Sequence, residues 1–578
     1  MSYKLINNQD NLESLLELLL LQKELSIDTE TTGLDPYYSK VRLLQIGFDE
    51  QFFVIDCFCF ENLDILKPIF NSPDILKILH NAKFDIKMLK INYGIEFQNI
   101  FDTMLASQII SAGVNETHNL KDVVYRYLGI ELDKTEQKSD WSKELSVSQI
   151  SYAIKDVEVL IPLKNKLKEF LVENKLVRVA VLEFNCCLSV SDMEINGCFL
   201  DKNKWLDIIE KVEKKHSKLS DEIQKELSKN SNQLSLFNDF LEINLNSNQQ
   251  LLESLNNMGI NLDDTAERTL SLNKNKHEII EKILEYRSLQ KSLSSYGKNI
   301  LEHINKKTGR IHASFNQIGA GTGRFSCFNP NLQQIPANEE YRSSFMAEKG
   351  NKLITADYSQ IELRILAEIS GDKEFIRAFE SGEDLHKITA SNMFSIPLEN
   401  VTKEMRSQAK SINFGLVYGR GASSLAEQIG TSVEEAKKLI EKYFEIYEGV
   451  KIWLDNAGKL AIKTSQSRTL SNRLKKYIFD SNNRKEIASI DRQGKNSPIQ
   501  GTSADITKQA LFLINKEFKN TKTKLINTVH DEIILESPLE FAENSAKILE
   551  QKMIEAGRIY LKKVPIVVDV HISDFWSK

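Results

Sequence analysis

Apolar residues gather in short strand-like runs near the start of the chain. Leu25–Asp28, Val41–Phe48 and Phe52–Ile55 read as strands, and helical spacings alternate with them to about residue 172. Strands interleaved with helices imply an α/β unit. From about 175 to 300 the apolar positions follow a helical period in a background of Lys, Glu, Leu and Asn, with amphipathic stretches at 247–259 and 274–296. Mixed strand and turn signals occupy 310–370. Helical patterns return over 372–465 and 488–515, and Lys524–Ser537 reads as a hairpin. No Pro-, Gly- or Ser-rich linker marks a junction, so the first boundary is set softly near 172. The run Leu15–Leu21 contains Glu17 and is too short to span a bilayer, so it reads as one face of an early helix.

Composition changes this picture little. A chain of 578 residues accommodates three to five units at roughly 100–200 residues each, and a 41% apolar share lets each bury a core. The formal charge of −6 does not announce a nucleic-acid binder, although a basic patch can sit inside an acidic whole. Cys57 and Cys59 are separated by one residue, and Cys186 and Cys187 are adjacent, so neither pair has the two-residue gap of a zinc knuckle. Free thiols in a reducing compartment are expected. With no basic segment ahead of the apolar run there is no signal or transit sequence to read, and the expected location is the cytoplasm of a bacterial cell or phage-infected host, off the membrane.

The first chemistry lies in the first third. Ser26-Ile-Asp-Thr-Glu30 ends an apolar strand, and Asp28 and Glu30, two residues apart, point to the same side of it. His80-Asn-Ala-Lys-Phe-Asp85 and Tyr152-Ala-Ile-Lys-Asp156 add two further carboxylates, and Tyr152 and Asp156 stack on one helix face. Hard oxygen ligands of this kind suit two Mg²⁺ ions and phosphodiester hydrolysis, with a phenol to orient water. Any one of these acids alone reads more readily as a solvated charge or a helix cap; the set, in this order, does not.

The set resembles the DEDD exonucleases in their tyrosine form over residues 1 to about 172, including Phe101-Asp-Thr-Met and Asp133…Gln137-Lys-Ser-Asp-Trp141. The resemblance implies an RNase H-like fold, Asp28, Glu30, Asp85 and Asp156 as metal ligands, and Tyr152 as the residue that positions water. This third alone would fit a ribonuclease.

The second chemistry lies further on. Leu353-Ile-Thr-Ala-Asp-Tyr-Ser-Gln-Ile-Glu-Leu-Arg364 is a strand entering a helix with Asp357 at the junction. Asn527-Thr-Val-His-Asp-Glu532 presents His530, Asp531 and Glu532 at a hairpin turn. Arg406, Lys410, Phe414 and Tyr418 recur every four residues, so all four share one broad helix face, and Gly419 ends that helix. Two cations suit a triphosphate; two aromatics suit a base and sugar.

These segments resemble motifs A, B and C of family A DNA polymerases, from about 185 onward. Gly321-Thr-Gly-Arg-Phe-Ser326, Asn329-Pro-Asn-Leu-Gln-Gln-Ile-Pro336 and Arg492…Asn496-Ser-Pro-Ile-Gln-Gly-Thr-Ser-Ala-Asp505 add further matching blocks. The resemblance implies a right hand of palm (about 311–371 and 488–578), fingers (about 372–487) and thumb with its base (about 185–310). Overall the expectation is an α/β and α+β multidomain chain, with an exonuclease domain over 1–172 and a polymerase domain over 173–578. Asp357 and Asp531 would hold two Mg²⁺ ions, with Mn²⁺ able to substitute, and Glu532 stands nearby. Arg406, Lys410, His386 and Gln360 would meet the triphosphate, and Phe414 would stack on the nucleotide. Tyr418 would close the pocket and Glu362 would exclude a 2′-hydroxyl. Arg324, Arg492, Asn496, Gln500 and His530 would line the primer terminus. Primer-template DNA and deoxynucleotides are the implied partners of a monomer, with no processivity partner specified. Ser407 and Asn472 depart from the family pattern, and Arg287 is a candidate duplex contact. The resemblance begins at residue 1, so the expectation is a polymerase I-like chain without its 5′-nuclease.

Overall fold

The computed structural model describes residues 3–114, 116–133, 135–228 and 243–577. Residues 229–242, inside the stretch expected to form the thumb, and the side chains of Gln137 and Lys138 lie outside the described residues.

The first unit is built on a six-stranded mixed sheet. Its strands are β1 (Tyr3–Ile6), β2 (Glu24–Thr31), β3 (Val41–Phe48), β4 (Gln51–Asp56), β5 (Leu76–Leu79) and β6 (Ile100–Asp102), in the order β1-β4-β3-β2-β5-β6. β2, β3 and β4 form an antiparallel meander, while β5 and β6 extend the sheet parallel to β2. The three strands read from the sequence are all present. The others are three or four residues long, too short for an alternation to register. Leu25, Ile27, Leu44, Ile46 and Ile78 centre a core that α1 (Ala82–Tyr93) and α2 (Thr103–Ser111) help to cover. On the other face α3 (Val147–Glu158) packs Ile150, Tyr152 and Ala153 over Leu43 and Val54.

A single helix, α4 (Val177–Asn196), joins this unit to the rest. Val179, Ala180, Phe184 and Cys187 belong to the first core, whereas Cys186, Val190 and Met193 belong to the second. A helix apolar on most of its circumference is a buried one. The missing linker signal has this cause: the connection is a packed helix.

Helices α5 (Lys202–Ser228), α6 (Asn248–Asn257) and α7 (Glu278–Tyr296) share a separate core of Ile223, Leu227, Leu251, Leu255, Ile280 and Ile283. A short hairpin follows, of β7 (Ser314–Asn316) and β8 (Ser326–Phe328). The second sheet is antiparallel, in the order β10-β11-β9-β12, with β9 (Asn351–Tyr358), β10 (Lys524–Val529), β11 (Glu532–Pro538) and β12 (Val568–Ser573). Helices fill 373–464 as expected, among them α9 (Leu385–Phe394) and α10 (Lys403–Val417); α8 (Ile361–Ser370) follows β9, and α11 (Arg484–Phe518) runs for 35 residues.

Candidate active sites

In the first unit β2 delivers Asp28 and Glu30 on one side of the sheet, and α3 delivers Tyr152 and Asp156 from above. A capping box fixes the start of α3: the Ser146 side chain accepts from Gln149 N–H, and Gln149 reaches back to Ser146 N–H. Carboxylate oxygens of Asp28, Glu30 and Asp156 lie within 4.8 Å of one another. Like charges so close invite a divalent cation. Tyr152 feels all three: burial raises its phenol well above the usual value, and Asp156, Glu30 and Asp28 raise it further.

Asp85 stands outside this trio. It is buried on α1 and accepts from Thr29 Oγ1 at 2.6 Å, between the two β2 acids in sequence. Burial lifts its carboxyl to about 7, against the Thr29 hydrogen bond. Asp102 ties two helix starts together, those of α1 and α2. Its oxygens accept from Asn81 N–H (3.2 Å), Ala82 N–H (2.9 Å) and Met104 N–H (2.8 Å).

The second site gathers residues from several elements. Asp357 is the penultimate residue of β9 and pairs in register with Glu532 of β11, so the two-residue turn His530–Asp531 stands one position beyond it. His530 takes a φ of 59°, as the first residue of a tight hairpin turn requires; His530 itself is exposed and Asp531 beside it is half-buried. Glu532 is turned into the protein: Arg342 Nη1 reaches it at 3.2 Å and the Trp576 indole N–H donates to it.

Helix α10 presents Arg406, Lys410 and Phe414, and Tyr418 caps its end before Gly419, whose φ is 68°. The Tyr418 hydroxyl donates to Glu362 Oε2 at 2.6 Å, and Arg324 grips the other Glu362 oxygen. Burial raises the Tyr418 phenol; Glu362 and Asp531 add to that, while Arg324 opposes it. Tyr418, at the end of the helix, therefore lies within electrostatic reach of both Glu362 and the hairpin acid Asp531. Gln360, at φ 54°, starts α8 beside them. Arg492 packs against Gly419, where a Cβ would stand 3.0 Å from its Cγ, and Asn496 and Gln500 follow at successive turns of α11.

Two features were not legible in the sequence. Asp384, the N-cap of α9, binds Arg406 through Nε (2.8 Å) and Nη2 (2.6 Å), fixing the guanidinium plane. His386 is buried and accepts from the Asn413 amide at 3.0 Å. Burial takes it down to about 4, with Asp384 opposing and Arg406 and Lys410 assisting, so its imidazole is neutral at pH 7. Beneath the loop carrying Arg324 lies a fully buried charge cluster. Arg473 Nε donates to Asp505 at 2.8 Å, Arg473 Nη2 meets Glu183 at 2.5 Å, and Lys508 donates to the same Glu183 oxygen.

Two carboxylate centres, one laid out for hydrolysis and one set beside a cation-and-aromatic helix, define a nucleic-acid enzyme with separate cleaving and joining sites. Residues 3–171 match the 3′-5′ exonuclease family model, and residues 213–578 match DNA polymerase family A. The chain belongs to DNA polymerase family A and carries a 3′-5′ exonuclease domain ahead of its polymerase body. It is 34% identical to a DNA polymerase I of Aquifex aeolicus, with both chains covered in full. It is also 34% identical to a DNA polymerase I of Borreliella burgdorferi, all of this chain matching 64% of that one. The polymerase domain of Pol1 from M. smegmatis, solved with DNA primer-template and dNTP, superposes with a TM-score of 0.86 at 27% identity over 99% of each chain. No helix among the described residues is long and apolar enough to cross a membrane.

Proposed function

We propose that the chain extends primer 3′ ends with deoxynucleotides at the Asp357–Asp531 centre and trims mispaired ends at the Asp28–Glu30–Asp156 centre. We assign 1–172 to the exonuclease and 173–578 to the polymerase. The observation that supports this best is Tyr418, on the cationic helix face, lying within electrostatic reach of both Glu362 and Asp531.

Asp357 and Asp531 suit Mg²⁺, as do the three clustered exonuclease acids. When bound, such ions lower the pKa of an attacking oxygen and neutralise charge on phosphate oxygens. The chain's own residues do the rest. Arg406, held by Asp384 through Nε and Nη2, leaves Nη1 for a triphosphate oxygen, and Lys410 on the next turn adds a second cation. Phe414 offers a ring to the incoming base. Glu362, held by Tyr418 and Arg324, fills the space beside the sugar and selects against a 2′-hydroxyl. Gln360 borders the same space. His386, neutral and buried, braces α10 through Asn413 and supplies packing rather than charge. Glu532, held by Arg342 and Trp576, fixes the turn that presents Asp531. Arg324, Arg492, Asn496, Gln500 and His530 stand where minor-groove acceptors common to all correct pairs would pass. In the exonuclease Tyr152 orients the attacking water, and Asp85, positioned by the hydrogen bond from Thr29, completes the ligand set.

Separation of function tests this. Asp531→Ala should abolish primer extension and keep digestion of single-stranded DNA; Asp28→Ala with Glu30→Ala should do the reverse. Extension by Asp531→Ala at the wild-type rate, or digestion by the double variant, would reject the corresponding assignment.

A further inference from the structure

A cavity of about 220 Å³ lies between the two units, outside both carboxylate centres. Asn81, Lys83 and Gln108 line it from the exonuclease side; Asn316, Gln317 and Phe328 line it from the β7–β8 hairpin. That hairpin reaches toward both sites. Its connecting loop carries Arg324 to Glu362, whereas Phe328 sits at the far end of β8, opposite Ser314. Asn81 directly precedes α1, which holds Asp85. The cavity thus lies between the helix that serves hydrolysis and the hairpin that serves synthesis.

Its chemistry selects the occupant. The starts of α1 and α2 face it, but Asp102 already takes their free N–H groups and places a negative charge there. Lys83 is engaged by Glu194 at 2.6 Å and by the Phe315 carbonyl. A phosphate would find no uncommitted cation among these groups. A flat neutral ring would find the Phe328 face, which is 48% exposed although the residue is large and apolar, and amides at the rim. Gln108 Oε1 is buried there without a hydrogen-bond partner. The volume falls below the roughly 300–1,000 Å³ of drug-sized pockets, and suits one ring system.

We propose that this cavity is a stacking subsite for a nucleobase of the unpaired primer 3′ strand, held on Phe328 while the strand's end is delivered to the exonuclease centre. A base can enter only when unpaired, so the subsite favours melted over duplex ends. The inference rests on the exonuclease reading above and adds a place that the strand occupies on its way.

The test uses the full chain and an oligodeoxynucleotide carrying 2-aminopurine at successive positions from its 3′ end. Binding is measured in EDTA, where no hydrolysis occurs, and digestion is measured separately in Mg²⁺. One labelled position should be quenched on binding. Phe328→Ala should lose that quenching and weaken single-strand binding by about tenfold, the scale of one lost base–aromatic stack. Phe328→Trp should restore both, which a merely structural role would not predict, and thermal midpoints check that the variants fold. Unchanged binding and quenching in Phe328→Ala, in a protein that digests single strands normally, would overturn the subsite and leave the exonuclease reading intact. A wild type that binds and quenches but never digests would overturn the exonuclease reading and leave the subsite standing.

Discussion

Glu183→Gln probes how the polymerase site is supported from beneath. Glu183, Arg473, Asp505 and Lys508 form a balanced set of two anions and two cations, with every side chain 6% exposed or less. Burial alone would raise the Glu183 carboxyl, but Lys508 and Arg473 more than reverse that and hold it below its usual range. Lys508 is lowered, because burial and the Arg473 charge outweigh Glu183. Glutamine keeps the shape and removes one anion. Asp505 remains bound to Arg473, and Lys508 is left buried with no counter-charge. Removing one partner of a buried pair costs about 3–5 kcal/mol. Deprotonation of Lys508 limits the loss, so the penalty should shrink as pH rises. Because a chain of several units does not unfold in one step, the assay is native-state hydrogen exchange at the Ser503–Lys508 amides of α11. The opening free energy there should fall by about 3–5 kcal/mol near pH 7, and Glu183→Gln with Lys508→Met should recover more than half of it. Arg473 also underlies Gly323, where a Cβ would come 2.7 Å from its Nε, so the same variant should loosen the loop bearing Arg324. Strict additivity of the two substitutions, or a loss under about 1 kcal/mol, would refute the coupling.

Other consequences are simpler to read. Glu362→Ala removes the group that Tyr418 and Arg324 hold in place, and should raise the ribonucleotide-to-deoxynucleotide ratio of kcat/KM by about tenfold or more. An unchanged ratio would remove Glu362 from the sugar pocket. Lys77 is buried on β5, donates to the Ser72 and Ile75 carbonyls, and is brought by burial from 10.5 to about 7. Between those values the unfolded chain holds the extra proton, so this group's contribution to stability rises with pH. The stability difference between wild type and Lys77→Met should therefore grow in favour of wild type from pH 7 to 10, and stay flat below about pH 6. A difference constant across that range would contradict the burial of a charged amine.

The two candidate constellations could be read from the sequence because several of their residues sit at or near the ends of strongly patterned elements. Asp28 and Glu30 close an apolar strand, Asp357 marks a strand–helix junction, and His530–Asp531 interrupts two β-runs at the turn. Spacing by four alone puts Arg406, Lys410, Phe414 and Tyr418 on one helix face. What stayed hidden depends on partners far apart in the chain. Nothing local in Glu183 announces Arg473 and Lys508, and nothing in Asp384 announces the guanidinium it orients. Glu532 reads as one more acid at a turn until Arg342 and Trp576 are seen to hold it. β5 and β6 are too short to display a period, and α4 belongs to two cores at once, so no boundary signal marks it.

Counting bound manganese tests the central claim most directly. Asp28→Ala with Glu30→Ala disables the first centre, and a primer ending in a dideoxynucleotide prevents turnover at the second. Titration with Mn²⁺, followed by electron paramagnetic resonance in the presence of primer-template and the matching dNTP, should then show two tight ions per chain. Adding Asp531→Ala should remove at least one of them. Two tight ions that persist after both Asp357→Ala and Asp531→Ala would show that these acids do not form the site.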